Sequence, residues 1–243
     1  MKKNLKLTTK RLVIELMTDE EIQNKISDTQ DEELKKAYQE MLAGALRDPK
    51  QRQWSAPWKI SLKKEGTEIG DLCFKGAPKE YAVEIGYGID EAYHGQGYGT
   101  EAVSQMLQWA FGDDTLVGVE AETESDNEAS RKLLTKCGFQ PDGEGEEGPR
   151  YVLEKPLPQW MMIYWLFGMS IGMSIGMAND HMGIGMCLGI CGGLLVGAAL
   201  DANAKEERRK LKEERVTKKS ASEKSEADSM DSTTDEEDAA SQD

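Results

Sequence analysis

The sequence has few of the residues from which metal sites and disulfide frameworks are built. Its 243 residues include only two histidines and four cysteines, and no two cysteines form a C-x-x-C pair. These counts predict no metal site, and they suit a reducing cytoplasm. The first residues are basic but lead into Thr, Lys and Arg rather than an apolar run, so no secretory signal is predicted.

Positive charge is also scarce, because the formal net charge is −15. This balance argues against nucleic acid as a partner, since such binding depends on neutralising phosphates. The charge is unevenly spread, however. A basic cluster interleaved with glutamates lies between residues 205 and 219, whereas Lys224 is the only base from residue 220 onward.

What the sequence does contain is a strand, a glycine-rich loop and a helix in direct succession. Residues 83–90 form a β-branched, alternating run, glycines follow at 95, 97 and 99, and apolar residues recur at helical spacing over 101–110. The unpaired N–H groups at such a helix start are typical of phosphate sites. The spacing matches neither the P-loop nor the dinucleotide fingerprint, and a tight turn that binds nothing would look the same.

Three motifs in the expected order resemble the GNAT N-acetyltransferases. Residues 95–102 resemble the acetyl-coenzyme-A loop of that family, and residues 127–139 resemble its next helix with the terminating Gly-Phe. Residues 9–14 resemble the branch that includes the ribosomal-protein N-acetyltransferases. The resemblance covers roughly residues 5–156, and it implies an α/β fold with a mixed central sheet flanked by helices.

The pattern of the chain is consistent with one such domain over residues 1–156. A helix is expected to begin after the capping residue Thr18, and a second helix to end before Asp48-Pro49. In the family, two early helices line the acceptor side. The ranges predicted to be strands are 5–17, 58–62, 67–74, 83–90, 116–123 and 151–154.

The resemblance implies that acetyl-CoA is the co-substrate. It assigns the pyrophosphate to the backbone N–H groups of five residues: Gln96, Gly97, Tyr98, Gly99 and Thr100. Unpaired N–H groups at the start of a helix favour the same assignment. Asn127 would cap the following helix and could also bind the pantetheine arm, although capping alone would explain it. His94 stands where the family usually has Gln or Arg, and a solvated loop histidine is expected.

Acetyl transfer also requires a polarised carbonyl and a base. The resemblance assigns the carbonyl to the backbone of Tyr87, Gly88 and Ile89, where the two glycines beside Tyr87 suit a bulge or a close backbone approach. Glu84 is the candidate base, acting directly or through a water, and burial between apolar neighbours would raise its pKa. A solvent-facing strand glutamate is the alternative.

The proton donor for the departing thiolate is less clearly marked. The tyrosine that frequently serves this role in the family is absent, because Leu134 occupies its place. Ser130 could fill the role, as a serine does in the ribosomal-protein branch. A helix serine that only packs near the coenzyme is equally consistent with the sequence.

Residues 157–200 lie outside the resemblance, and from Trp160 to Leu200 the chain is apolar apart from Asn179-Asp180-His181. One helix over 160–200 would measure ~61 Å, about twice a bilayer core, whereas two halves of ~28 Å would each fit. Glycines recur at every fourth residue on each half, which keeps them on one helix face. We therefore predict a glycine-rich, membrane-inserted helical hairpin, whose glycine faces could also pair copies of the chain into a homo-oligomer.

The end of the sequence is strongly charged. Residues 201–219 are predicted to form a charged helix, and residues 220–243 a disordered acidic tail without a site. A basic cluster beside a membrane segment marks the cytoplasmic side, so a hairpin would leave the catalytic domain there too. The alternative is a solvated charged helix in a cytoplasmic protein.

The predicted function is an N-acetyltransferase that moves the acetyl group of acetyl-CoA to a primary amine and is tethered to the membrane. The acceptor amine is a protein N-terminus or a small molecule. Two alternatives remain open. The absent tyrosine suits an acetyl-CoA-binding module without turnover, and the glycine hairpin suits a membrane assembly protein.

Overall fold

The computed structural model describes residues 5–79, 81–157 and 159–239. The chain divides into two units, Met1–Lys155 and Pro156–Asp243. The strands of the first unit are β1 (Lys6–Thr8), β2 (Leu12–Leu16), β3 (Trp58–Leu62), β4 (Glu68–Phe74), β5 (Ala82–Ile89), β6 (Gly118–Glu122), β7 (Gln140–Glu144) and β8 (Pro149–Glu154). Its helices are α1 (Asp19–Asp28), α2 (Glu32–Arg47), α3 (Arg52–Ser55), α4 (Tyr98–Ala110) and α5 (Glu128–Lys136).

The strands form one mixed sheet in the order β1-β2-β3-β4-β5-β6-β8-β7. Neighbouring strands are antiparallel except for the β5–β6 pair, which is parallel because α4 crosses between them. The predicted mixed α/β architecture is therefore confirmed. The centre of the sheet packs against α4, whose buried face includes Ala102, Val103 and Met106. Trp109 of the same helix contacts the rings of Trp54, Trp58 and Phe74 at centroid distances of 5.0–5.9 Å.

The starts of helices α1 and α2 are set by side-chain caps. Thr18 and Glu21 form a capping box at the start of α1, and Asp31 accepts hydrogen bonds from the backbone of Glu33 and Leu34 at the start of α2. Each such cap contributes about 1 kcal/mol. As predicted, α2 ends just before Asp48-Pro49.

The range 5–17, predicted to be one strand, is instead the antiparallel hairpin of β1 and β2. The Thr9 hydroxyl closes the turn by accepting a hydrogen bond from Leu12 N at 2.9 Å, and Thr9 N donates to Leu12 O at 2.9 Å. Alternation could not reveal this turn, because it contains neither glycine nor proline. Strand β7 was not predicted either, since all five of its residues are exposed and they include Pro141 and Gly143.

The second unit contains two long helices, α6 (Trp160–Ala178) and α7 (Met182–Ala239). They separate at the predicted polar break, which confirms the helical hairpin. A Cβ atom on Gly172 would lie 2.2 Å from Gly185 O, and one on Gly189 would lie 2.1 Å from Gly168 O. The two backbones are therefore in direct contact, and only glycine fits at these positions.

The glycine faces, which could also pair copies of the chain, pack against each other within a single chain, since Gly168, Gly172 and Gly176 contact the backbone of α7. The base of the hairpin is closed by Asp201, whose carboxylate accepts hydrogen bonds from Trp160 N at 2.8 Å and Met161 N at 3.1 Å. The start of α6 is thus capped by a residue of α7.

The charged helix predicted over residues 201–219 is the continuation of α7, which runs to Ala239 with no glycine or proline after Gly197 to end it. Residues 240–243 lie outside the described residues. That residues 220–243 form a disordered acidic tail without a site stays a prediction. Exposed pairs such as Arg209–Glu206 at 2.9 Å line the charged part of the helix.

Candidate active site

The central sheet opens beside Glu84. Strands β5 and β6 pair only from Ala82–Gly118 to Glu84–Glu120, although β5 continues to Ile89. Beyond Glu84, β5 keeps its register with β4 alone, so one edge of residues 85–89 has no neighbouring strand in the described part of the chain. The predicted carbonyl-binding residues Tyr87, Gly88 and Ile89 lie on this edge.

The two glycines of β5 do not produce a bulge. Pairing with β4 runs without a register shift from Gly70–Ile89 to Phe74–Ile85. The alternative, a close backbone approach, fits better, because a Cβ atom on Gly88 would meet nothing within 4 Å. The face of the sheet therefore has room for a ligand at Gly88.

The predicted phosphate loop connects β5 to α4. Gly95 and Gly97 have φ values of +73° and +79°, in the left-handed region that favours glycine. Helix α4 begins at Tyr98, three residues earlier than its apolar periodicity indicates. Its first i to i−4 hydrogen bond joins Glu101 N to Gly97 O at 3.1 Å, so the N–H groups of residues 98–100 have no partner within the helix.

His94 is not simply solvated, because its Nε2 lies 2.6 Å from Ile89 O. The imidazole therefore joins the loop to the end of β5. Periodicity gave no indication of this contact.

A hydrogen-bonded network around Glu101 holds the loop against the first hairpin. Its carboxylate accepts from the Thr9 hydroxyl at 2.6 Å, from Arg11 N at 2.9 Å and from Arg11 Nε at 2.7 Å. Arg11 Nη1 also donates to Gln96 O at 3.0 Å, and the guanidinium lies 4.3 Å from the centre of the Tyr98 ring. Burial alone would raise the pKa of Glu101, but these hydrogen bonds hold it below its ordinary value.

Glu84 faces away from the core on the paired part of β5, and its side chain is 25% exposed. Lys75 Nζ lies 2.6 Å from its carboxylate and 2.7 Å from that of Glu147. Burial raises the pKa of Glu84, although Lys75 opposes this change. Glu122 adds a third carboxylate, within 4.8 Å of the other two. Glu84 is therefore neither fully solvated nor isolated.

The same face of the sheet carries contacts to α1 and α2. Tyr38 of α2 donates a hydrogen bond to Asp71 of β4, and Lys25 of α1 pairs with Glu68. Burial raises the pKa of Asp71, although Tyr38 and Lys25 both oppose this. Asp71 pairs directly with Gly88, so its side chain lies beside the open position on β5.

Across the sheet, α5 brings Ser130 to Tyr87. Asn127 caps α5 by accepting a hydrogen bond from Ser130 N at 2.9 Å, as predicted. The Tyr87 and Ser130 hydroxyl oxygens are 2.8 Å apart, and burial raises the pKa of Tyr87 to about 12 although Ser130 opposes this. Leu134, which replaces the family tyrosine, is fully buried in the core.

Comparison with known proteins gives a family match over much of this unit. The sequence model for the acetyltransferase (GNAT) domain matches residues 6–140. The chain is 37% identical over 82 residues to the Bacillus subtilis protein YjdG, an uncharacterized N-acetyltransferase, which covers 33% of this chain and 49% of YjdG. It is 33% identical over 85 residues to p20 of Bacillus licheniformis, covering 35% and 48% of the two chains. The chain thus spans about half the length of these curated relatives.

Solved structures with a similar fold include a GNAT-family acetyltransferase from Bacillus anthracis, which is 18% identical and gives a TM-score of 0.48. The match covers 62% of this chain and 98% of the Bacillus anthracis chain. Another is the Salmonella typhimurium acetyl transferase that modifies the N-terminal serine of ribosomal protein L7/L12, with 17% identity, a TM-score of 0.48, and coverage of 60% and 96%. Because the matched family domain takes up more than half of its residues, the chain belongs to the GNAT acetyltransferase family.

Proposed function

We propose that this protein transfers the acetyl group of acetyl-CoA to a primary amine. The observation that carries the proposal is the opening of the sheet beyond Glu84. It leaves a strand edge without a partner strand, and the chain then passes directly to a helix start with unpaired N–H groups. These are the two kinds of donor that a thioester carbonyl and a pyrophosphate need.

The loop has the room that a coenzyme requires. A Cβ atom on Gly95 would meet nothing within 4 Å, and one on Gly97 would meet only the Arg11 guanidinium at 3.6 Å. An anion can therefore approach the backbone, where the N–H groups of residues 96–100 would hold the pyrophosphate. Asn127, which caps α5, would also bind the pantetheine arm.

Three groups of the chain would carry out the transfer. Glu84 takes the proton of the acceptor ammonium, directly or through a water, and then releases it to solvent before the next cycle. Its raised pKa suits a base that must accept a proton. The backbone of Tyr87, Gly88 and Ile89 stabilises the carbonyl oxygen as negative charge develops on it. Ser130 donates a proton to the thiolate that leaves as the C–S bond breaks.

The proposed acceptor is a primary amine of a protein N-terminus or of a small molecule. It would approach on the face that carries Glu84 and Asp71, where α1 and α2 are attached through Lys25 and Tyr38. An ammonium group suits this face, because carboxylates of β4, β5 and β6 lie on it.

We further propose that α6 and the first part of α7 tether the protein to a membrane, with the acetyltransferase domain in the cytoplasm. Helix α6 and residues Met182–Leu211 are each long and apolar enough to cross a bilayer. Their large apolar side chains remain exposed after the helices pack, including Phe167 at 61% and Leu195 at 73%. Aromatic residues at the start of α6 and the basic residues after Asp201 would then lie near one interface.

The test is calorimetric titration of acetyl-CoA into the full chain in lipid discs, followed by assays of thiol release with a panel of amines. We expect binding at a 1:1 ratio and amine-dependent release of CoA. Gly97→Ala should weaken binding, because alanine is strained at φ +79°. Gly66→Ala is the matched control, since Gly66 has φ +72° in the turn between β3 and β4 rather than in the loop. Binding without release would favour the binding-module alternative, and no binding would overturn the proposal.

A further inference from the structure

The contact between Tyr87 and Ser130 joins two parts of the proposed site that are distant in the sequence. Tyr87 lies on the strand edge that opens toward the thioester, and Ser130 lies in the first turn of α5. Their hydroxyl oxygens are 2.8 Å apart, and the next atom within reach of the phenol is Ser130 O at 3.5 Å. The phenol is thus directed at the serine hydroxyl.

This arrangement matters because a serine hydroxyl is a weak acid. It can give a proton to a thiolate readily only if it receives another one at the same time. The leucine side chain at 134 has no acidic proton, so the position that usually holds the family's proton donor cannot supply one. Tyr87 carries an O–H group in hydrogen-bond contact with Ser130.

We propose that Tyr87 is a positioning residue that orients Ser130 and passes a proton through it to the departing sulfur. When the C–S bond breaks, its electron pair goes to sulfur, and the sulfur takes the proton of Ser130 Oγ. Ser130 takes the proton of the Tyr87 hydroxyl, and the tyrosinate then recovers a proton from water. No other reactant is required.

The phenol holds a proton that it can pass on. Burial raises the pKa of Tyr87 to about 12, so the hydroxyl is protonated at neutral pH.

This inference rests on the proposed acetyl transfer, so the experiment uses the full chain in lipid discs and begins with the wild type. Steady-state kinetics would compare Tyr87→Phe, Ser130→Ala and the double variant. Tyr151→Phe is the control, because Tyr151 lies on β8, which pairs with β6 and β7 rather than with β5. We expect kcat to fall about tenfold or more in each single variant, with the Kd for acetyl-CoA and the KM for the amine unchanged.

The double variant should be no slower than the slower single variant, because both changes interrupt one path. Ser130→Thr, which keeps the hydroxyl, should retain most of the wild-type kcat. Replacing Tyr87 by a fluorinated tyrosine of lower pKa should move the alkaline limb of the kcat profile to lower pH. If the hydrogen bond between Tyr87 and Ser130 only stabilised the position of α5, this substitution would not shift the alkaline limb.

The outcomes separate the two proposals. A wild type that binds acetyl-CoA but releases no thiol would overturn both the transfer and the relay. If the wild type turns over, an unchanged kcat in Tyr87→Phe would overturn the relay alone. So would additive losses in the double variant, or a loss that appears only as weaker coenzyme binding.

Discussion

The carboxylate of Glu84 is subject to two opposing influences, burial that raises its pKa and the Lys75 ammonium at 2.6 Å that lowers it. If Glu84 is the base, kcat should rise with pH as its carboxyl ionises. The midpoint of this rise should lie above the ordinary glutamate pKa of 4.5. Lys75→Met should move the limb to higher pH, because the cation that favours the ionised form is lost.

Glu84→Gln should abolish the limb and lower kcat by about 100-fold, while acetyl-CoA binds as before. Both variants would be measured by thiol release across the pH range. Lys132→Met is the control, since it removes an exposed ion pair with Glu128. Full turnover of Glu84→Gln at every pH would show that Glu84 is not the base.

Glu101 should stabilise the fold more at neutral pH than in acid, because its pKa is lowered in the folded protein. Its pKa in the folded protein lies below the ordinary value of 4.5, so it stabilises the fold above that pH. This contribution is lost as the pH falls through the folded pKa. Glu101→Gln should therefore lower the free energy of unfolding at pH 7 by about 2 kcal/mol, the scale of hydrogen bonds to a charged group.

The difference between wild type and Glu101→Gln should shrink steadily below about pH 4. Urea unfolding followed by tryptophan fluorescence would measure it. Glu40→Gln, on an exposed face of α2, serves as control because its ion pair with Lys36 is only a 3.9 Å surface contact. A loss in Glu101→Gln that does not change with pH would contradict this account.

At the scale of elements, the α6–α7 pair depends on missing side chains. A Cβ atom on Gly172 would lie 2.2 Å from a backbone oxygen of α7, whereas one on Gly192 would meet nothing within 4 Å. Gly172→Ala should force the helices apart at a cost of about 1–3 kcal/mol. Gly192→Ala should leave the pair intact or stabilise it slightly, because alanine favours helix.

Thermal unfolding of the full chain in lipid discs, followed by circular dichroism, would compare these two variants. The helix-pair transition should fall in temperature for Gly172→Ala only. Equal transitions in both variants would mean that the close approach of the backbones contributes little to the stability of the hairpin.

Elements were predictable from the sequence where a local pattern specifies them. The cap at Thr18, the glycine loop before α4 and the polar break of the hairpin each depend on residues that are neighbours in the chain. The contacts that complete the candidate site are not local. Tyr87 meets Ser130 across 43 positions, and Arg11 meets Glu101 across 90. Periodicity carries no information about such pairs, because they are brought together only by the order of the strands.

At the scale of the whole molecule, the proposed membrane tether has a test that needs no change in the apolar segment. Cys187 and Cys191 lie on exposed surface of α7, so in water they should react quickly with a polar maleimide. In lipid discs both should react far more slowly than a cysteine introduced by Lys205→Cys in the charged part of the helix. Mass spectrometry would identify the labelled sites, and equal rates at all three positions would exclude insertion.

The Glu101 network has a further consequence for the molecule. Its carboxylate belongs to the helix that would hold the coenzyme, whereas Thr9 and Arg11 belong to the hairpin at the edge of the sheet. If the loop binds the coenzyme as proposed, bound coenzyme would also stabilise the attachment of β1 and β2 to the sheet. By thermodynamic reciprocity, a partner that binds better when this hairpin is detached would weaken coenzyme binding by the same factor by which the coenzyme weakens its own binding. Coenzyme affinity would then depend on what binds the outer hairpin.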